Sequence, residues 1–99
     1  MNTIILDQNL TAFMAEHKFE KITVNGDTVF RSGEKYVRIV CGEKHAAVEV
    51  ACGLQDAEHN IYEDIDLYDY EHMKSNGFPK EGDIFTEICA DIEKYIISQ

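Results

Sequence analysis

The stretch that decides the fold is residues 19–52, which read FEKITVNGDTVFRSGEKYVRIVCGEKHAAVEVAC. Asn25-Gly26 is a strong signal for a two-residue β-hairpin turn, because both residues accept the positive φ that such a turn requires. Residues 32–34 (SGE) and 42–45 (GEKH) carry further turn residues. The runs between them are rich in Val, Ile, Thr and aromatic residues, which is typical of strands. The segment therefore predicts four strands joined by three hairpins.

The turns also predict how the strands pair. The first turn places Ile22 opposite Val29. A three-residue loop at 32–34 then places Val29 opposite Val37. The third turn pairs Arg38 with Glu49 on one face of the sheet. On the other face it places all the large apolar residues of the two strands except Tyr36 and Val40. A slip of one residue would lose both the apolar face and the charge pairing.

The rest of the chain supplies helices and one more strand. Apolar residues at helical spacing predict a helix from about Asp7 to Lys18, capped by Asp7 or Asn9, and a second from Glu81 or Asp83 to Ile97. The predicted buried stripe of the second helix is Ile84, Phe85, Ile88, Cys89, Ile92, Tyr95 and Ile96. Residues 61–70 (IYEDIDLYDY) alternate with period two and predict a fifth strand, after a polar connection at 54–60 and before a loop at 75–79.

We expect residues 1–99 to form a single two-layer α+β domain of order α-β-β-β-β-β-α. Successive hairpins imply an antiparallel meander of four or five strands, with the N- and C-terminal helices on one face. The other face is expected to be open to solvent or to a partner, and a homodimer could form there. It should carry Phe30, Tyr36, Val40, Ala47 and Ala51.

Composition restricts where and how the protein works. No run of about 18–20 apolar residues predicts a membrane span, and residues 1–7 lack the features of a signal peptide. Three cysteines, an odd number with no CxxC spacing, favour a reducing cytoplasm. Cys41, Cys52 and Cys89 each fall on an apolar face, so we expect free, buried thiols.

Charge is divided unevenly along the chain. Residues 1–44 hold six acids and six Lys or Arg, whereas residues 45–99 hold thirteen acids and three Lys, which accounts for the whole net charge of −10. Residues 45–73 contain eight acids and no Lys or Arg. A surface of this kind repels itself, nucleic acid and anionic membrane. We therefore expect a basic protein partner.

Alternation along the predicted fifth strand places Ile61, Ile65 and Leu67 on the apolar face with Glu63. It places the acids and tyrosines of the strand together on the other, open face: Tyr62, Asp64, Asp66, Tyr68 and Tyr70. Tyrosine supplies contact area at low entropic cost, and carboxylates steer a basic partner. Acids two residues apart on a strand would lie roughly 6–7 Å apart, close to the spacing of phosphates in a nucleic-acid strand. The candidate partner-binding residues are Tyr62, Asp64, Asp66, Tyr68, Asp69 and Tyr70.

The sequence carries no pattern that names a reaction. No His/Cys spacing predicts a metal site, no Gly-rich loop predicts a phosphate site, and no cofactor is expected. Glu63 interrupts the apolar face predicted for its strand, between Ile61 and Ile65, and we expect it to reach solvent near the strand end. We therefore do not expect an enzyme.

In size, in acidity and in its α+β pattern, with the acids concentrated between Asp56 and Glu71, the chain resembles the small inhibitors of bacteria and phages. These are immunity proteins that neutralise a toxin domain and anti-CRISPR proteins that block a nuclease. The resemblance implies a protein-binding inhibitor. Two alternatives stay open: a small ligand-binding domain or enzyme with a pocket between helix and sheet, and an adaptor or oligomerising subunit that uses the open sheet face.

Overall fold

A computed structural model of the chain describes residues 2–77 and 81–99. Within these residues five strands form one antiparallel sheet, ordered as they follow along the chain. The strands are β1 (Glu20–Val24), β2 (Asp27–Ser32), β3 (Lys35–Cys41), β4 (His45–Cys52) and β5 (Glu63–Asp69). The helices are α1 (Thr3–Glu16), α2 (Leu54–Glu58), α3 (Tyr70–Ser75) and α4 (Glu81–Ile92), and α4 continues as a π-helical turn, Glu93–Ile97. The predicted α+β meander with a helix at each end is confirmed.

Two of the three hairpin registers are confirmed. Ile22 lies opposite Val29 in the first hairpin, and Arg38 lies opposite Glu49 in the third. The second register is wrong by one residue, because Ser32 pairs with Lys35 and only Gly33 and Glu34 form the turn. Gly33 has φ 60°, a left-handed conformation that suits such a tight turn.

That slip exchanges the faces of two large residues. Phe30 lies opposite Val37 and joins the main core, although it was expected on the open face. Val29, expected in the main core, lies on the other face beside Tyr36 and Ala51.

The main core lies between one sheet face and the two terminal helices. Helix α1 contributes Leu6, Leu10 and Met14 to this core. Helix α4 and its π-helical turn contribute Ile84, Ile88, Ile92 and Ile96. All of these side chains are buried in one cluster with Val37, Ala46 and Val48 of the sheet. The helices therefore cover one face, as the sequence predicts. Burying a large aliphatic side chain contributes about 1.5–3 kcal/mol, so this layer dominates the stability.

The opposite face is half covered. A small second cluster buries Val24, Val29, Tyr36, Ala51 and Ala57. Ala57 belongs to α2, a short helix that replaces the polar connection expected at 54–60. This cover stops partway along β3 and β4, since Val40 is 45% exposed.

The residue that caps the first helix differs from those that the sequence predicted, and the last helical turn has a partner that the sequence did not indicate. α1 begins at Thr3, not near Asp7, because the Asn2 side chain accepts a hydrogen bond from the Ile5 N–H at 3.1 Å. At the other end of the chain the Lys35 ammonium donates to the carbonyls of Ile96 and Gln99, at 2.5 and 3.0 Å. These bonds tie the carbonyl end of the last helical turn to the start of β3.

Three further expectations are corrected or fall outside the described residues. Tyr95 is 47% exposed, since the π-helical turn changes the phase of the buried stripe. The cysteines are free, as predicted, but Cys52 is exposed at the end of β4, whereas Cys41 and Cys89 are partly buried. Positions 78 and 79 of the predicted loop lie outside the described residues.

Candidate protein-binding surface

The last strand of the sheet carries four exposed acids within seven residues. Strand β5 pairs with β4 on one side and is the final strand in the sheet order. We call the exposed carboxylates of β5 and of the first turn of α3 the acidic edge. Its members are Glu63, Asp64, Asp66, Asp69 and Glu71. Glu63 reaches solvent at the start of β5, as expected.

A β-bulge divides this strand. Asp64 lies opposite Glu49 and Asp66 lies opposite Val48, so Ile65 has no partner on β4. One unpaired residue reverses the alternation of side chains along a strand. Asp64 therefore shares a face with Glu49, whereas Asp66 lies on the side of the main core, at its exposed margin. The sequence expectation that these two acids share one face, at phosphate-like spacing, is wrong.

The bulge also buries two tyrosines that were expected on the open face. Tyr68 is 3% exposed in the main core, and its hydroxyl donates to Asp91 Oδ2 at 2.8 Å. Tyr70 is 4% exposed in α3, and its hydroxyl donates to the Gly42 carbonyl at 3.0 Å. Burial raises the pKa of the Tyr70 phenol to about 12 and raises that of Tyr68 as well. Both side chains hold the fold together and offer no accessible contact surface.

Tyr62 occupies a third environment. Its ring stacks on the Arg38 guanidinium, 3.9 Å from ring centroid to Cζ. Arg38 also donates to Glu49 Oε2 at 3.0 Å and to Asn60 Oδ1 at 2.7 Å. The bond to Glu49 raises the pKa of Arg38, and partial burial raises that of Tyr62. These contacts fix the end of the α2 segment on the sheet, and they mark the boundary between the covered and uncovered halves of that face.

The uncovered half contains residues that the sequence did not indicate as a site. Val40 pairs with Ala47, and Ala47 pairs with Leu67, so the three lie side by side across β3, β4 and β5. We call them the apolar row. Leu67 is 63% exposed, although the sequence placed it in the core. The register of the third hairpin was a signal for Val40 and Ala47, but nothing in the sequence marked the bulge that turns Leu67 outward.

The ends of the apolar row are polar. His45 and Asp69 pair at one end, and both are exposed. Asp69 also caps α3, since its carboxylate accepts from the His72 N–H at 3.0 Å. Towards the other end lie Asp64, opposite Glu49, and the Arg38 ion pair. Of the six predicted residues, the structure thus brings Tyr62, Asp64 and Asp69 to the open face, leaves Asp66 exposed at the margin and buries the other two.

A cleft lies beside this surface. About 290 Å³ in volume, it is lined by Glu43, Lys44, Asp69, Tyr70, Glu71 and Lys74. The Tyr70 hydroxyl that lines it donates to the Gly42 carbonyl. Among residues 2–77 and 81–99 no three His, Cys, Asp or Glu side chains are grouped so that they could hold a metal ion.

Comparisons with known protein families, curated proteins and solved structures find no match for this chain. In the described part of the chain, none of the helices has the length and apolar character needed to cross a membrane. The interpretation of the surface therefore depends on its own residues.

Proposed function

We propose that this chain is a protein-binding inhibitor that presents its acidic edge to a basic partner, a nucleic-acid-processing toxin or nuclease. The observation that carries the proposal is the concentration of five exposed carboxylates on β5 and α3, within a stretch of 29 residues that has no Lys or Arg. Such a partner binds polyanions and therefore bears a basic surface. An acidic protein that covers that surface would block access of nucleic acid.

The topology supports this proposal because it separates charge in space. Since the strands follow one another in chain order, the balanced first half of the sequence supplies β1, β2 and β3, and the acidic second half supplies β4 and β5. Four strand spacings of about 4.8 Å put β1 roughly 19 Å from β5. That exceeds the Debye length of about 8 Å at physiological salt. The cations of β1 therefore do little to screen the acidic edge. Arg38 and Lys44 lie nearer to β5, but Arg38 is already paired with Glu49 and Asp27.

The acids also have a structural effect. Carboxylates on a terminal strand discourage edge-to-edge association. That effect needs only one or two charges, however, whereas β5 and the first turn of α3 carry five without a neighbouring cation in sequence. The excess, together with the exposed apolar row beside it, favours a partner-facing surface.

The test is a kinetic titration of the purified chain against the protein encoded by the neighbouring gene. Asp64→Lys combined with Asp66→Lys should slow association by about tenfold or more at low salt and weaken its salt dependence, because both charges belong to the steering surface. Asp7→Lys combined with Glu16→Lys is the matched control, since these exposed acids lie on α1 and give the same change in net charge. Equal effects of the two double variants, or an absence of binding by the wild-type chain, would overturn the proposal.

A further inference from the structure

The apolar row is not accounted for by folding. Val40 and Leu67 remain 45% and 63% exposed, and Ala47 between them is partly exposed. Single exposed apolar residues are ordinary, but adjacent ones across three strands form a continuous patch. At about 4.8 Å between strands, the row spans roughly 10 Å, the width of one or two large side chains from a partner.

The alternative point of contact on this strand, its outer edge, is obstructed. The Leu67 N–H is bonded to Asp66 Oδ1 at 2.8 Å, so it is not free to pair with another strand. The bulge at Ile65 interrupts the regular ladder, and carboxylates flank it on both faces. Bulges and charges are the features by which edge strands resist pairing. A partner strand added to β5 is therefore disfavoured, and the sheet face remains.

The charges around the apolar row indicate which kind of protein can bind there. Asp69 and Asp64 flank it along β5, and neither β4 nor β5 contains a Lys or Arg. Arg38 on β3 is a cation at one end of the row, and its charge is taken up by Glu49 and Asp27. A second copy of the chain would bring two such acidic rims together at a net charge of −10 each, which opposes a dimer through this face. A basic surface complements the rim, and apolar side chains at its centre would complement the row.

We propose that the apolar row is the centre of the partner interface, and that the partner is a basic protein which inserts an apolar or aromatic side chain between its own Lys and Arg residues. This inference rests on the proposed function and deepens it. The acids act at a distance and set the association rate, whereas the row acts in contact and sets the dissociation rate. Interfaces of this type concentrate their energy in a desolvated apolar centre surrounded by a polar rim.

Leu67→Thr is the variant that tests the row, because it keeps a strand-forming residue while removing apolar contact area. Ile4→Thr is its matched control, since Ile4 is 69% exposed on α1, in the other layer of the domain. With the protein of the neighbouring gene as probe, Leu67→Thr should accelerate dissociation by about fivefold or more and leave the association rate within about twofold. Ile4→Thr should change neither rate.

A methyl NMR footprint provides the second measurement. The methyl signals of Val40 and Leu67 should shift on addition of the partner, while those of Ile4 should stay in place. Unchanged dissociation for Leu67→Thr would overturn the inference. So would a footprint centred on the groove between α1 and α4 that Phe13 and Phe85 line. If the charge reversals still slowed association, the proposed function would stand without the apolar centre. If no partner bound, both would fail.

Discussion

Two adjacent residues of β5 allow a sharp test of the bulge. Leu67 is 63% exposed and Tyr68 is 3% exposed, whereas the simple alternation of the sequence places Leu67 inside and Tyr68 outside. Truncating each to alanine in turn, Leu67→Ala and Tyr68→Ala, should therefore give very different losses of stability.

The magnitudes follow from what each side chain contacts. Tyr68→Ala removes a buried aromatic ring and should lower the free energy of unfolding by about 3–5 kcal/mol, the range for other large aromatic residues. Tyr68→Phe isolates the bond to the Asp91 carboxylate and should cost about 1.5–3 kcal/mol, the range for a hydrogen bond to a charged group. Leu67 buries roughly a third of its surface, so its truncation should cost about 0.5–1 kcal/mol.

Urea unfolding followed by circular dichroism is the assay. A difference of about 2–4 kcal/mol between the two alanine variants corresponds to about 1–2 M in midpoint, at a slope near 2 kcal/mol per M. The slopes should be equal, which would show that both variants unfold from the same compact state. Comparable losses for the two variants, or a larger loss for Leu67→Ala, would refute the bulge and with it the exposed apolar row.

Three further outcomes are expected. Burial raises the pKa of Cys41 to about 11 and that of Cys89 to about 12, from an ordinary value of 9.0. The stability that the two neutral thiols contribute is therefore complete below about pH 9 and is lost as the pH rises through 11–12. The thermal midpoint should fall over that range, and it should fall less steeply after both cysteines are changed to alanine. An alkylating reagent should label Cys52 rapidly in the native protein and the other two thiols slowly, and uniform labelling of all three would contradict their different burial. Lys35→Met should increase amide hydrogen exchange in the last turn of the chain and leave the α1 amides unchanged, whereas protection equal to the wild type would show that the lysine caps nothing.

The sequence predicted the sheet well where turn chemistry was unambiguous. Asn25-Gly26 specifies a two-residue turn, and the alternation that follows 42–45 permits one register only. Residues 32–34 allowed either a two- or a three-residue loop, and each choice gives Val37 an apolar partner, Phe30 in the first case and Val29 in the second. Only the packing of Phe30 beneath the helices distinguishes them, and that is a long-range contact.

The candidate site was predicted in charge but not in geometry. The clustering of acids on β5 follows from composition along the chain. Which of them share a face depends on Ile65, and a bulge leaves no local signal here because both phases of the strand offer apolar residues to the core: Ile65 and Leu67 in one, Tyr68 and Tyr70 in the other. The brevity of α2, five residues with only Ala57 buried, likewise gave too little periodicity to predict a helix.

The bulge at Ile65 also has a consequence for how this protein can change over generations. Deletion of a single codon at the bulge would restore one-to-one pairing with β4 and exchange the residues of β5 that face outward. Most substitutions alter one contact at a time, but such an event would replace the whole presented set at once. Because Tyr68 packs in the main core and bonds Asp91 of α4, such a change would persist only where the residue that replaces Tyr68 on the core side can fill its place. A lineage carrying this fold thus has access to abrupt changes in the side chains that β5 presents, as well as gradual ones.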